Sequence, residues 1–560
     1  MGGQEVKEEF DYIVVGSGSA GAALTARLTE DGANSVLLLE AGPGDRHPFQ
    51  LMPLAFLKIA NGTHGTWQYQ SDPEPALYGR QLGIPRGRTL GGTSSINAMI
   101  AIRGHRQDYD RWQALGAHGW SYADVLPYFK RLESHWRGST AFHGGDGPIR
   151  ISRVAGPELL WEPLLAAALA AGIAFCEDPN GAEQDGISQM EATIGDGMRS
   201  STARGYLYPA LNRANLTIET DALAGRIVVA RGRAVAVQYR KRGQIRTARA
   251  AKEIIVCGGA YNSPHLLMLS GIGPADELRA LGIDPVLDLP GVGRNLHDHP
   301  NIMNEYELAN EAGLMRYLRI DRAALSAGRW LLNNTGPFAY PGSTANIFAR
   351  SSEGLKQPDV QLTTLPISNG ANLWMPGLKR RPRAAVSVRI GHLQPKSRGW
   401  VKLRSTDPAA APRILMNMFD DPGDLETMMR AIRLSRSVYA QSPLRELLRR
   451  ETLPGPGLLT DAELKEHIRR NAGHRSHPVG TCRMGNDSEA VVDSQLRVFG
   501  VEGLRVADAS VMPDVPSGNT NLPSIMVGER AADLVLGRTL PPEPHDRAVS
   551  KAREERFRPQ

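Results

Sequence analysis

Apolar residues along this chain fall into short runs broken by glycine-rich turns. Tyr12-Ile-Val-Val15 is one strand-length run, Ala22 to Glu30 has helix-forming composition, and Val36-Leu-Leu-Leu39 is a second run ending at Glu40. Runs without polar alternation suit strands buried on both faces, as in a parallel sheet covered by helices. Glu253-Ile-Ile-Val256 leads into a Gly-Gly turn, and Leu504-Arg-Val-Ala507 ends in Asp508-Ala509. Ser263-Pro264 has the form of an N-cap and first turn, which predicts a helix over Leu266 to Leu269. A last helix is predicted from about Leu522 to Leu536. Similar strand-to-turn junctions therefore recur early, midway and late, and they predict one nucleotide-binding sheet assembled from three separated pieces of chain. Between about Asn304 and Arg470, aromatics (Trp330, Phe338, Tyr340, Trp374, Trp400) are interleaved with Pro and Gly. That texture predicts a second domain that covers the first and shapes a pocket.

Composition narrows the picture. The 560 residues are 41% hydrophobic and 22% charged, as in a globular protein of two to four domains. The net charge of +6 is spread without a dominant basic block, and no groove-reading motif accompanies it, so no nucleic-acid partner is expected. Cys176, Cys257 and Cys482 lie far apart, with neither a disulfide framework nor zinc-ligand spacing, which fits a reducing compartment. Met1 to Phe10 carries Glu5, Lys7, Glu8 and Glu9 and reads as no signal peptide. The longest apolar stretch, Leu164 to Cys176, is too short to span a bilayer and predicts a buried helix. A cytoplasmic protein without an integral membrane segment is expected. The mixed charges from Thr539 onward predict a solvated tail.

The first junction carries the most specific chemistry. Gly16-Ser-Gly-Ser-Ala-Gly21 joins strand to helix as G-x-G-x-x-G. Gly16 allows the tight turn, Gly18 lets the backbone approach a pyrophosphate, and Gly21 lets the helix pack close to the strand. The helix N-terminus then faces the phosphates. Glu40, 24 positions after Gly16, ends the next strand, where a carboxylate accepts hydrogen bonds from ribose hydroxyls and repels a 2′-phosphate. The motif disfavours NADP but does not separate FAD from NAD. Gly87 to Asn97 is a second glycine-rich loop, suited to a backbone that wraps a ligand closely or to a flexible surface loop.

His474 and His477 sit three apart without the further ligands that zinc needs, so no metal is expected. Pro478 directs the chain rigidly after His477, which can serve as a base or as a backbone-satisfied structural histidine. Asn521, 44 residues later, precedes the last helix and reads either as its N-cap or as an amide facing the same ligand.

The chain resembles the glucose–methanol–choline (GMC) oxidoreductase family. Seven blocks carry the resemblance in order: Asp11 to Gly21, Leu37 to Gly42, Gly87 to Asn97, Gly259 to Gly273, Gly291-Val-Gly-Arg-Asn-Leu-His-Asp-His299, His477 to Gly485, and Val506 to Ser510 continuing through Asn519 to Pro523. The resemblance implies an α/β composite. Its parts are a Rossmann-like FAD-binding domain (8–155, 195–303 and 471–538), a substrate domain on an antiparallel sheet with helices (156–194 and 304–470), and a tail (539–560). Cofactor contacts are implied at Gly16, Gly18, Ser19, Ala20 and Gly21, and at Glu40 and Ala41. The second loop adds Arg88, Gly91, Gly92, Ser95, Asn97 and Ala98. Ala224, Pro478, Asp508, Ala509 and Asn519 complete the set. Members with covalent flavin carry a histidine where this chain has Ile96, so non-covalent FAD is implied. Activity is implied as oxidation of a primary alcohol. His477 takes or polarises the hydroxyl proton, Asn521 holds the same oxygen, and hydride passes to flavin N5. Choline or another amino alcohol, and a redox-silent FAD lyase, are the alternatives. The electron acceptor (oxygen, a quinone or another carrier) and the oligomeric state are not legible.

Overall fold

A computed structural model of the chain describes residues 9–379 and 381–549. The first eight residues, on which most of the signal-peptide reading rests, and residues 550–560 of the expected tail lie outside the described residues.

Two sheets organise the molecule. The first runs in spatial order Leu216–Glu219, Val36–Leu39, Glu9–Val15 and Gln244–Val256, all parallel, with Leu504–Val506 parallel on the far side of Gln244–Val256. Gln244–Val256 is shared. Its first half closes an antiparallel meander with Arg233–Lys241 and Ala222–Ala230, and its apolar end, Ile254 to Val256, joins the parallel ladder. Ile13, Val14, Leu38, Ile254 and Ile255 are fully enclosed, as strands covered on both faces require. The register aligns Val15 with Leu39 and Val256, and Val256 with Val506. Every turn that follows a parallel strand therefore opens at one edge, the position where ligands bind in such sheets.

Helix Ser19–Leu28 packs against helix Asn521–Val535. The approach is so close that a Cβ at Gly528 would meet the Ala20 carbonyl oxygen at 2.2 Å. The helix after Val256 spans Gly259–Leu269, not the shorter segment read from Ser263-Pro264, and Pro264 lies inside it. An interior proline leaves the carbonyl four residues earlier without its helical partner. Here that carbonyl, Ala260 O, accepts from the Thr481 hydroxyl at 2.6 Å. Helix Tyr122–Leu132 repeats the device. Pro127 vacates Ala123 O, which accepts Glu543 N–H at 2.8 Å. Lys130 Nζ pairs with the Glu543 carboxylate at 3.0 Å, and Ala548 is fully buried. The segment from 539 to 549 is thus moored to this helix rather than solvated along its length.

The second sheet is antiparallel, in the order Leu448–Leu453, Pro300–Leu308, Ala385–His392, Val360–Leu365, Ala345–Ala349 and Gly186–Gln189, with Gly473–His474 pairing at Pro300 and Asn301. Helix Pro422–Tyr439 packs against it. One cross-strand row reads Asn346, Thr363, Arg389, Met303. Opposed residues in an antiparallel pair share a face, so these polar side chains emerge together. The apolar stretch after Leu164 is helical only within Trp161–Ala170. Leu169 and Phe175 are about half exposed, at 49% and 53%, because the helix packs through Leu164, Ala167 and Ala168 alone. No helix among the described residues is long and apolar enough to cross a membrane.

Thr481→Val leaves the proline-vacated Ala260 carbonyl buried without a donor. It is expected to cost about 1–3 kcal/mol, seen as a lower melting temperature than that of Thr481→Ser, which keeps the hydroxyl.

Candidate active site

A cavity of about 450 Å³ runs along the carboxyl edge of the parallel strands and under the second sheet. One end is lined by Glu40, Ala41 and Ala222 to Ala224. The middle is lined by Gly16, Gly18, Ser19, Ala20, Gly92, Asn97, Ala98, Asp508 and Ala509, and the other end by His477, Pro478, Asn519, Asn521, Arg86, Arg389 and Arg475. Sixteen of the sequence-selected residues meet at this wall. Gly21, Arg88, Gly91 and Ser95 do not line it. Gly21 packs behind, where a Cβ would meet Gly16 O at 2.0 Å, and Ser95 Oγ donates to Leu90 O at 2.7 Å. Arg88 lies over the Trp67 ring at 4.5 Å and donates to Ala41 O at 3.1 Å.

The shape of the wall fits a dinucleotide. Gly16 has φ +102° and a Cβ there would meet Cys257 O at 2.4 Å, so only glycine makes this turn. A Cβ at Gly18 would meet nothing within 4 Å: its backbone faces open cleft, as a backbone that cradles a pyrophosphate must. No side chain caps helix Ser19–Leu28, which leaves its N-terminal dipole to a ligand's phosphates. The Glu40 carboxylate is buried, and burial raises its pKa. It accepts from Ser17 Oγ at 2.6 Å, Ser17 N–H at 3.1 Å and Gly42 N–H at 2.9 Å, and each oxygen retains acceptor capacity for a ribose hydroxyl. Asp508 caps the turn after its strand and accepts Gly259 N–H at 2.8 Å, which ties the late piece of chain to the middle one. Ile96, at the cavity wall, offers no atom for a covalent flavin bond.

At the far end the structure pairs His477 with Asn519, not with Asn521. Asn519 Nδ2 lies 3.1 Å from His477 Nε2, whereas Asn521 Oδ1 accepts from Ser19 Oγ at 2.8 Å. The reason is local. Asn521 is already the first helical residue, and the N-cap is Thr520, so Asn521 faces the neighbouring helix start. Asn519 precedes the helix, where the chain still points across the cavity. Asn519 Oδ1 accepts from Gln361 Nε2 at 3.4 Å, which turns the amide N–H toward His477. Nε2 of His477 is therefore an acceptor, and its proton sits on Nδ1. Nδ1 lies 3.0 Å from Nδ1 of His299, which receives that proton's hydrogen bond, and His299 Nε2 has no partner among the described residues. Asp298 accepts the His477 backbone N–H at 2.8 Å.

Burial, helped by the neighbouring His299, holds the His477 pKa well below the ordinary value. Burial pushes His299 down to about 3. Asp298 is also buried, which disfavours its charge, yet its contacts with His474 and His477 hold its carboxyl well below the ordinary carboxylate range. A neutral imidazole thus presents an unprotonated Nε2 to the cavity at neutral pH, with the Asn519 amide beside it. Sequence reasoning missed His299, Asp298, Gln361, Arg389 and Arg475. Only His297-Asp-His299 left a signal, a histidine-rich end to a glycine block. Among the described residues no group of three or more His, Cys, Asp and Glu could hold a metal ion.

Fold and cleft together define a dinucleotide-binding protein of the α/β class whose cleft lies beneath a second, antiparallel sheet. Family models described as GMC oxidoreductase match residues 10–301 and 395–528. The oxygen-dependent choline dehydrogenase of Rhizobium etli is 43% identical over 532 residues, covering 95% of this chain and 96% of that one. The mitochondrial choline dehydrogenase of Homo sapiens is 42% identical over 549 residues, covering 96% and 91%. Among solved structures, pyridoxine 4-oxidase from Mesorbium loti aligns with a TM-score of 0.84 at 30% identity over 95% of this chain and 100% of that one. A formate oxidase variant from Aspergillus oryzae aligns at 0.89 and 28% identity over 95% and 98%. The chain belongs to the GMC oxidoreductase family. It is an FAD-dependent oxidoreductase acting on CH–OH groups.

Neutral burial of His299 and His477 couples folding to pH. Unfolded, both have pKa near 6.5. Their contribution to stability is full above that value and is lost as pH falls toward about 3, the folded pKa of His299. Melting temperature is expected to fall steadily below pH 6.5, and His299→Asn, which does not titrate, is expected to flatten that slope.

Proposed function

We propose that this protein oxidises a small primary alcohol to the aldehyde, with His477 receiving the hydroxyl proton and Asn519 holding the same oxygen. The observation that carries this reading is the unprotonated Nε2 of a neutral, buried His477 beside an amide N–H at the cavity wall. FAD, held by the Gly16–Gly21 turn, Glu40 and the Asp508–Ala509 turn, supplies the acceptor for the carbinol hydrogen and its electron pair.

The alcohol's O–H donates to His477 Nε2, and the amide N–H of Asn519 donates to the alcohol oxygen. As negative charge builds on that oxygen, both groups stabilise it from fixed positions. Nδ1–H of His477 leans on His299, and Asp298 holds the His477 backbone, so the ring does not rotate away from the cavity. The Gln361 contact keeps the Asn519 amide from flipping. Choline, for which the relatives above are named, is a primary alcohol of the class this machinery handles.

His477→Ala is expected to retain bound FAD and to slow anaerobic flavin reduction by about 10²–10⁴-fold. Asn519→Ala is expected to lose about 10²–10³-fold in the same stopped-flow measurement. Asn521→Ala, which breaks only the bond to Ser19, is expected to weaken FAD retention instead. Equal rate losses at 519 and 521 would sink the assignment.

A further inference from the structure

The end of the cavity that holds His477 is lined by three arginines, Arg86, Arg389 and Arg475. The carboxylates lining the cavity, Glu40 and Asp508, belong to the cofactor wall and are occupied there. Arg475 is anchored to neutral groups: it donates to Thr363 Oγ1 at 2.9 Å and to Gln361 O at 3.3 Å. It lies across the sheet at Gly391, where a Cβ would meet Arg475 Cδ at 2.5 Å. Arg86 donates to Ser476 O at 2.9 Å and covers the Tyr261 ring at 5.3 Å. Arg389 is different. It projects from the middle of the antiparallel sheet, half-buried, opposite Thr363. Among the described residues its guanidinium makes no ion pair and no hydrogen bond, and burial lowers its pKa without any carboxylate to oppose the shift. A desolvated cation without a partner is costly to keep, and its five N–H donors form a fork that matches a carboxylate.

The wall offers little to a cation. Recognition of a quaternary ammonium uses open aromatic faces and a nearby carboxylate. Trp330, Phe338, Tyr340, Trp374 and Trp400 do not line the cavity. Of the four aromatics that do, Trp67 is covered by Arg88 and Tyr261 by Arg86, Tyr69 is stacked on Trp67 at 5.6 Å, and Phe56 is buried in an apolar cluster.

We propose that the substrate is a primary alcohol that also carries a carboxylate, and that Arg389, with Arg475 beside it, receives that carboxylate while the hydroxyl meets His477. This rests on the alcohol oxidation proposed above. The aldehyde product retains the acid group, so the reaction that supplies the substrate is one that leaves a hydroxymethyl group on a carboxylic acid.

The test is turnover and anaerobic flavin reduction by the FAD-loaded enzyme with matched pairs. The pairs are 6-hydroxyhexanoate against its methyl ester, and 4-(hydroxymethyl)benzoate against benzyl alcohol, with choline alongside. The acids are expected to exceed their neutral counterparts and choline by on the order of 100-fold in kcat/KM, mainly through KM. Arg389→Gln is expected to shrink the acid-to-neutral ratio at least about tenfold through KM, and Arg389→Lys, which keeps the charge but not the fork, to shrink it less. Reduction by choline or the neutral alcohols in preference to the acids would overturn the carboxylate proposal and leave alcohol oxidation standing. An unchanged ratio in both variants would remove Arg389 from the recognition. No reduction by any alcohol would overturn the oxidation reading and this proposal together.

Discussion

The carboxylate of Glu529 is completely enclosed. It accepts from Arg27 at 3.0 Å, Arg131 at 2.6 Å and the Tyr206 hydroxyl at 2.6 Å. A charge taken this far out of water persists only when its partners surround it, and losing one of them costs several kcal/mol, about 3–5 for a buried pair. The four residues come from four distant places in the sequence. Glu529 therefore clamps the middle of helix Asn521–Val535 to the far end of helix Ser19–Leu28, and Ser19 and Asn521 join their near ends at 2.8 Å. With the two helices tied at two points, their starts keep a fixed spacing, and the loop holding Asn519 arrives opposite His477. The geometry of the candidate site is downstream of this clamp.

Around His477, burial and the cations outweigh the one opposing charge, the buried carboxylate of Asp298. His477 is neutral and surrounded by Arg86, Arg475 and a neutral His299, each of which either lowers its proton affinity or adds none. On the proposed reading, the field that keeps His477 unprotonated before reaction is the same field that stabilises an incipient alkoxide and a substrate carboxylate.

How much of this was legible in the chain depends on where each constraint lives. The turn at Gly16 was readable because its demand is a backbone one: φ +102° and a carbonyl 2.4 Å from any Cβ leave glycine alone. The buried strands Tyr12 to Val15 and Val36 to Leu39 were readable because both faces are apolar. The antiparallel sheet was read only as texture, although Val360-Gln-Leu-Thr363 and Val386-Ser-Val-Arg-Ile390 alternate as strands with one polar face do; alternation marks a strand but not which distant strand it pairs with. Asn519 and Asn521 stand two apart in one loop, and nothing local distinguishes them. What separates them is the helix start and the reach of Gln361, 158 residues away. Pro264 misled for a similar reason, because the donor that lets it sit inside a helix is Thr481.

Strand Leu504–Val506 and helix Asn521–Val535 complete the nucleotide-binding half, although its first strand begins at Glu9. During synthesis, Ile13 to Val15 and Leu37 to Leu39 therefore wait for nearly the whole remaining chain before one flank of their layer is covered. The cofactor cleft of this enzyme thus closes only when early and late parts of the chain meet, and until then its early apolar strands stay open on one flank.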